Sequence, residues 1–217
     1  MVNFIKLILG SLQTNCYLLF DDGTKKCFII DPANESDLIS ETIELKKLKP
    51  VGVLLTHGHF DHAMAAMDLK LMYKIPIYAN EKDLFLLKRI KKTAEFFLKM
   101  PVEVLDVEKV DIDLEKLSEI NLGEEKIEVI KTPGHTSGSV CFYSAKQNIL
   151  FSGDTLFAEG LRGGTDHQYS STKDIYKSIY KLMQLPRGTT VLSGHGEETT
   201  IGSESERYVF KDENKEN

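Results

Sequence analysis

Four side chains able to hold a metal fall within six residues at His57-Gly58-His59-Phe60-Asp61-His62, directly after the apolar run Val51-Gly52-Val53-Leu54-Leu55. Liganding groups this dense rarely serve packing. A β-branched, apolar run of this length after Pro50 reads as a buried strand, which sets the cluster just past a strand's carboxyl end, where open α/β sheets place their sites. His57 and His59, two apart on extended backbone, project to the same side and can share one cation, at roughly 2.0–2.1 Å if it is zinc. Asp61 and His62 come where the pattern turns helical (Ala63-Met64-Ala65-Ala66-Met67), so their side chains diverge from the first pair. The spacing suggests two adjacent metal positions.

Three further places carry chemistry. Thr132-Pro133-Gly134-His135-Thr136 follows a strand pattern, and its Pro-Gly turn can aim His135 back over a sheet end. Ser152-Gly153-Asp154-Thr155 presents a carboxylate in a glycine-bearing turn, and Gly194-His195-Gly196 does the same with an imidazole. Each histidine or aspartate alone reads as a hydrogen-bonded structural group. Four separate strand ends that all deliver His or Asp read as one site.

The elements that must position these residues follow from periodicity. Residues 2–9, 15–20 and 26–31 read as short strands, the last two joined by the turn Asp21-Asp22-Gly23-Thr24. Residues 35–49 carry Leu38, Ile39, Ile43, Leu45 and Leu48 between charges, an amphipathic helix leading into the strand before the cluster. A helix over 63–73, a strand over 76–79 and helical stretches over 81–100 follow. Strands over 126–131, 140–143 and 149–152, a helix over 172–185 and a last strand over 190–192 complete the pattern. Residues 1–210 are expected to form one domain, ahead of a frayed polar tail over 211–217. The basic run Lys88, Arg89, Lys91 and Lys92 reads as a solvated helix face.

Composition narrows the function classes. A chain of 217 residues with 41% hydrophobic content supports one sizeable core, and a net charge of −6 offers no footprint for nucleic acid or an anionic membrane. No apolar run approaches the ~18–20 residues that span a bilayer, and Lys6 interrupts the N-terminal stretch, which reads as a first strand. A soluble, cytoplasmic protein is expected. Cys16, Cys27 and Cys141, an odd number without C-x-x-C spacing, read as reduced, buried thiols.

Taken together, these motifs resemble those of the metallo-β-lactamase-fold hydrolases, and within them the small glyoxalase II-like (hydroxyacylglutathione hydrolase-like) group. The likeness covers nearly the whole chain. It takes in Leu12-Gln13-Thr14-Asn15-Cys16-Tyr17, Ile30-Asp31-Pro32, the His-x-His-x-Asp-His signature at 57–62, Thr132-Pro133-Gly134-His135-Thr136, Gly153-Asp154-Thr155-Leu156-Phe157, Gly194-His195-Gly196 and Glu198-Thr199-Thr200-Ile201-Gly202. The resemblance implies an α+β fold, a four-layer αββα sandwich with the site at one edge. It also implies His57, His59 and His135 on a first metal, Asp61, His62 and His195 on a second, and Asp154 as the bridge. Two divalent ions, zinc favoured over iron or manganese, would share a water and lower its pKa toward neutral, so that no side chain need act as the nucleophile. A small-molecule thioester is the implied substrate. Asp31 is expected to support the site loops from outside the ligand set.

The sequence departs from the group's pattern in places. Human-type glyoxalase II enzymes add a C-terminal helical domain with glutathione-binding residues, which this chain is expected to lack. Where many relatives read Gly-Arg-Thr-Asp, this chain has Leu161-Arg162-Gly163-Gly164-Thr165-Asp166, and Arg162 is the candidate contact for a substrate carboxylate. Ala33 replaces a common glycine, and the resemblance gives His167 no role. Persulfide dioxygenases share the signature but hold a single iron, here on His57, His135 and Asp154; they are the alternative, followed by a non-hydrolytic member of the fold.

Overall fold

The computed structural model describes residues 1–208; the expected tail over 211–217 lies outside them. Strand alternation dictates the layering. In β2 (Thr14–Asp21), Cys16 and Leu18 join one apolar cluster while Tyr17 and Leu19 join another, and all four are buried. Strand β10 (Ile149–Gly153) repeats this with Leu150 on one face and Phe151 on the other. Because successive side chains point to opposite faces, a strand buried on both needs a layer above and a layer below.

Two mixed sheets supply the inner layers. The first runs in sequence order through β1 (Val2–Leu9), β2, β3 (Lys26–Ile30), β4 (Lys49–Leu54), β5 (Ile77–Ala79) and β6 (Ile112–Asp113). The second runs in reverse order, from β12 (Thr199–Thr200) through β11 (Thr190–Ser193), β10, β9 (Val140–Ser144) and β8 (Glu125–Lys131) to β7 (Glu119–Leu122). Tyr17, Phe28 and Leu54 of the first sheet meet Val129, Phe142, Phe151 and Leu192 of the second in the central core. Outside the first sheet lie α1 (Ser36–Leu45), α2 (Phe60–Ala63), α3 (Ala66–Tyr73), α4 (Leu84–Leu87) and α5 (Ile90–Leu98), which bury Ile39, Ile43, Leu69 and Ile90. Outside the second, α6 (Thr172–Leu182) and α7 (Ile201–Arg207) bury Ile175, Ile179 and Ile201. The expected helix–sheet–sheet–helix order and α+β class are present. Among the described residues no helix is long and apolar enough to cross a membrane.

Several elements differ from expectation. Helix α1 stops at Leu45 rather than 49, because Lys47 turns to φ 53° and the Lys49 amide donates to the Lys25 carbonyl at 2.7 Å, which starts β4 beside β3. Leu38 and Leu45, assigned to its apolar face, are exposed. The helix expected over 63–73 begins earlier, at Phe60, and is two helices. Strands β6 and β7 were not expected: β6 is only two residues long, and β7 alternates buried Ile120 and Leu122 with exposed Glu119 and Asn121 over only four; the strand over 190–192 is followed by β12 and α7. The three cysteines are buried and free, as expected.

Candidate metal centre

The chain leaves β3 into Asp31, β4 into Thr56, β8 into Thr132, β10 into Asp154 and β11 into Gly194, so five strand ends deliver the site to one edge of the two sheets. Strands β3 and β4 are parallel neighbours, as are β10 and β11, which brings their carboxyl ends side by side.

Asp31 sits at φ 48°, a conformation aspartate tolerates better than most residues. Its Oδ1 accepts the Thr56 amide at 2.7 Å; Oδ2 accepts the Thr56 hydroxyl at 2.6 Å and His62 Nδ1–H at 3.0 Å. With its proton committed to Asp31, the Thr56 hydroxyl accepts from His57 Nδ1–H at 3.1 Å. That leaves His57 Nε2 as a bare lone pair, buried and without a hydrogen-bond partner. His135 Nδ1 donates to the Gly164 carbonyl at 2.8 Å and His195 Nδ1 to the Leu12 carbonyl at 3.2 Å. A carbonyl only accepts, so each of these rings carries its proton on Nδ1 and turns Nε2 inward. His59 is reversed: its Nε2 lies 3.0 Å from the Tyr169 hydroxyl and its Nδ1 faces the centre.

Ring nitrogen therefore faces ring nitrogen in both sets. His135 Nε2 is 2.9 Å from His59 Nδ1, and His62 Nε2 is 3.3 Å from His195 Nε2. Two nitrogens on one tetrahedral zinc at roughly 2.0–2.1 Å would be about 3.3 Å apart, so both contacts are near the spacing that a shared cation would give. Asp154 spans both sets: Oδ1 is 3.4 Å from His62 Nε2, and Oδ2 is 3.6 Å from His135 Nε2 and 3.8 Å from His195 Nε2. Its Oδ1 is also buried without a hydrogen-bond partner. Asp61 Oδ2 lies 3.3 Å from His195 Nε2 and 3.6 Å from His62 Nε2, and accepts from the Thr14 hydroxyl at 3.3 Å. The residues present fit a cation pair.

Within each of three groups the donor atoms lie no more than 4.8 Å from one another: His57, His59 and His135; Asp61, His62 and His195; and Asp31, His57 and His62. The third group is the support of the other two, since both Asp31 oxygens are already committed to Thr56 and His62. Close approach at this centre requires glycine at 194, where a Cβ would overlap Asp154 Oδ1 and come 2.6 Å from His62 Cε1.

Electrostatics point the same way. Burial, reinforced by neighbouring imidazoles, holds His57 and His59 well below the usual histidine range, His59 at about 3. Burial also opposes charge on His62, yet Asp154, Asp61 and Asp31 overcome it and push that ring up to about 10. Burial works against a charged Asp61 too, but His62 and His195 draw its carboxyl far below its ordinary value. The carboxylates favour a positive charge where His62 Nε2 points. Five imidazoles and two carboxylates suit zinc, iron or manganese.

All seven predicted ligands thus converge, and Asp31 stands behind them. The Arg162 guanidinium is turned to other partners: the Gly163 carbonyl at 3.0 Å, the Thr165 hydroxyl at 3.5 Å, and the Tyr176 ring at 5.1 Å. His167 stacks on Tyr169 with centroids 4.9 Å apart, and the two rings lie 5.8 and 6.0 Å from the His59 ring, so they wall that side of the first histidine set, with Phe85 packed against Tyr169. Sequence reasoning passed over Thr14, Tyr169 and Asp83. An aromatic two residues after a histidine in a polar loop was the available signal for Tyr169.

A family model described as the metallo-beta-lactamase superfamily matches residues 9–195. Among curated relatives, the probable metallo-hydrolase YqgX of Bacillus subtilis is 35% identical over 94% of this chain and 95% of its own. The hydroxyacylglutathione hydrolase GloC of Haemophilus influenzae is 36% identical over 92% and 93%. Among solved structures, the BLEG-1 B3 metallo-beta-lactamase superposes with a TM-score of 0.86 at 33% identity, covering 94% of this chain and 97% of that one. TTHA1623 in a di-iron-bound form gives 0.81 at 31%, covering 93% and 96%.

Proposed function

Since this chain belongs to the metallo-beta-lactamase superfamily and is a metal-dependent hydrolase of that fold, we propose that it cleaves a small thioester at a two-metal centre. His57, His59 and His135 would hold one ion, Asp61, His62 and His195 the other, and Asp154 would lie between them. The observation that carries this reading is the convergence of the inward ring nitrogens, His135 with His59 and His62 with His195, around buried His57 Nε2 and Asp154 Oδ1, neither of which has a hydrogen-bond partner.

When bound, two divalent ions supply a Lewis acid for the acyl carbonyl and a water acidic enough to react near neutral pH. The protein's own part is orientation. Asp31 and Thr56 fix the protons of His62 and His57 on the outer nitrogens, the Gly164 and Leu12 carbonyls do the same for His135 and His195, and Tyr169 steadies His59. Hydrolysis adds the water oxygen to the acyl carbon and breaks the carbon–sulfur bond; the thiol leaves and a carboxylate remains. A thiolate departs with little acid assistance, which agrees with the lack of any assigned general acid.

Zinc is the favoured metal, and the di-iron form of TTHA1623 supports iron as the alternative. The likeness to a hydroxyacylglutathione hydrolase supports glutathione as the thiol. The test is metal analysis of the purified protein beside turnover of S-lactoylglutathione, other thioesters, a β-lactam and glutathione persulfide. Two ions per chain and thioester turnover are expected. One iron per chain, oxygen consumption on persulfide and no thioester turnover would overturn the proposal in favour of a dioxygenase.

A further inference from the structure

Asp83 ends the short 3-10 turn Glu81–Asp83, which opens the helical insert after β5. Its side chain is buried, 1% exposed, although aspartate is almost never buried without partners. The partners are three neutral donors. Oδ2 accepts the Gly58 amide at 2.9 Å and the Thr136 hydroxyl at 2.6 Å, and Oδ1 accepts the Gly138 amide at 2.7 Å.

These donors are not scattered. Gly58 lies between His57 and His59, Thr136 is the residue after His135, and Gly138 closes the same loop as His135. One carboxylate from the insert therefore joins the loop of the first sheet that carries two inward-facing imidazoles to the loop of the second sheet that carries the third. Both loops are kept bare where it docks. A Cβ on Gly58 would come 2.9 Å from Asp83 Cβ and from its carbonyl oxygen, and one on Gly138 would come 2.6 Å from Asp83 Cγ. The turn is itself anchored, since Asn80 accepts the Lys82 amide at 3.1 Å and donates to Glu115 at 2.9 Å. Burial pushes the Asp83 carboxyl up, and the three hydrogen bonds pull it back.

We propose that Asp83 is a positioning residue for the first metal position: it sets the spacing of His57, His59 and His135 while leaving Asp61, His62 and His195 to other supports. The inference rests on the two-metal reading above. The second group is held by Asp31, Thr14 and the Leu12 carbonyl, none of which Asp83 touches through its three hydrogen bonds. A residue that merely anchored the fold would loosen both positions together. A positioning residue loosens one.

The experiment is stepwise zinc uptake by the metal-free 217-residue chain, with histidine ring-proton NMR to tell the positions apart and chelator competition to rank them. Asp83→Asn keeps the volume but presents an amide nitrogen to a donor. It is expected to weaken zinc at the three-histidine position about 10–100-fold, the usual loss when the outer support of a ligand is removed, and to leave the other position within about threefold. Thr136→Val removes one of the three hydrogen bonds and is expected to shift affinity the same way by less; if Asp83→Asn does not fold, this variant decides. Equal weakening of both positions, or no change at either, overturns the role of Asp83. Unsubstituted protein that takes up no zinc overturns the ligand set itself. Normal uptake in both unsubstituted and variant protein overturns only Asp83.

Discussion

Asp31 Oδ2 and His62 Nδ1 lie 3.0 Å apart with both side chains buried, so a carboxylate fixes the imidazole proton on the nitrogen that faces away from the centre. Asparagine tolerates the φ of 48° at this position and keeps the shape. Its amide nitrogen, however, would donate to His62 and drive the ring proton onto Nε2, which removes an inward lone pair. Asp31→Asn is expected to lower metal affinity at the Asp61, His62 and His195 position by about 10–100-fold, read by chelator competition. An affinity equal to that of the unsubstituted protein would refute this account of the pair.

Gly194 gives a steric test. Alanine there forces a methyl group against Asp154 Oδ1 and His62. Overpacking of this kind costs about 1–3 kcal/mol, a tolerable loss for the fold but a displacement of two proposed ligands at once. Gly194→Ala should stay folded by circular dichroism while its metal content falls below one ion per chain and turnover is lost. A fully loaded, active variant would show that the centre yields where the structure says it is tight.

Phe151 tests the central core apart from the chemistry. It is 1% exposed and packs edge-on against Tyr17 and Phe4, with centroids 5.1 and 6.0 Å away. Phe151→Ala should cost about 3–5 kcal/mol in urea unfolding, since the two sheets cannot close fully over the lost ring. A cost below 1 kcal/mol would mean that the sheets are packed more loosely than the contacts indicate.

Stripped of metal, the protein should show a stability maximum near pH 6.5. Asp154, Asp61 and Asp31 raise His62 to about 10 against the effect of burial, and an unfolded histidine titrates at about 6.5. Charged His62 therefore stabilises fully below pH 6.5, and that contribution is lost as pH rises toward 10. His59, lowered to about 3 by burial and by His135, works in reverse: neutral, it stabilises above pH 6.5 and the contribution is lost as pH falls toward 3. Melting temperatures across pH 5–9 for the stripped and zinc-loaded forms provide the check. A stripped protein that grows steadily more stable from pH 7 to 9 would contradict the His62 assignment.

His57, His59, His135, Asp154 and His195 were legible because each follows a strand and sits beside glycine, features that survive in a linear chain, and Asp61 and His62 because they crowd against the first two. His57 through His62 announce themselves by density; His135, Asp154 and His195 do so only as a set. Asp83 was not legible. Its partners lie 25, 53 and 55 residues away, and in isolation it reads as the acidic end of a helix-starting turn. Tyr169, 110 residues from His59, was hidden in the same way. Helix α7 escaped because Ile201-Gly202-Ser203-Glu204 has no apolar period; what fixes it is buried Glu204, which accepts the Gly160 amide and the Thr199 hydroxyl, each at 2.7 Å. The early end of α1 came from strand pairing, which overrode its apolar spacing.

The two sheets run β1 to β6 and β12 to β7, each built from its own stretch of chain, and neither holds a full set of inward-facing donors. His135 comes from the second stretch to meet His57 and His59 of the first, and His195 crosses to meet Asp61 and His62. An ion bound by both acts as a rivet across a seam, present only when the two halves are docked. Its occupancy then adds to the stability of the docked state by mass action, about 2.7 kcal/mol when free metal stands at a hundred times its dissociation constant. The supply of metal around the protein would thus govern how long the chain survives as well as how fast it turns over.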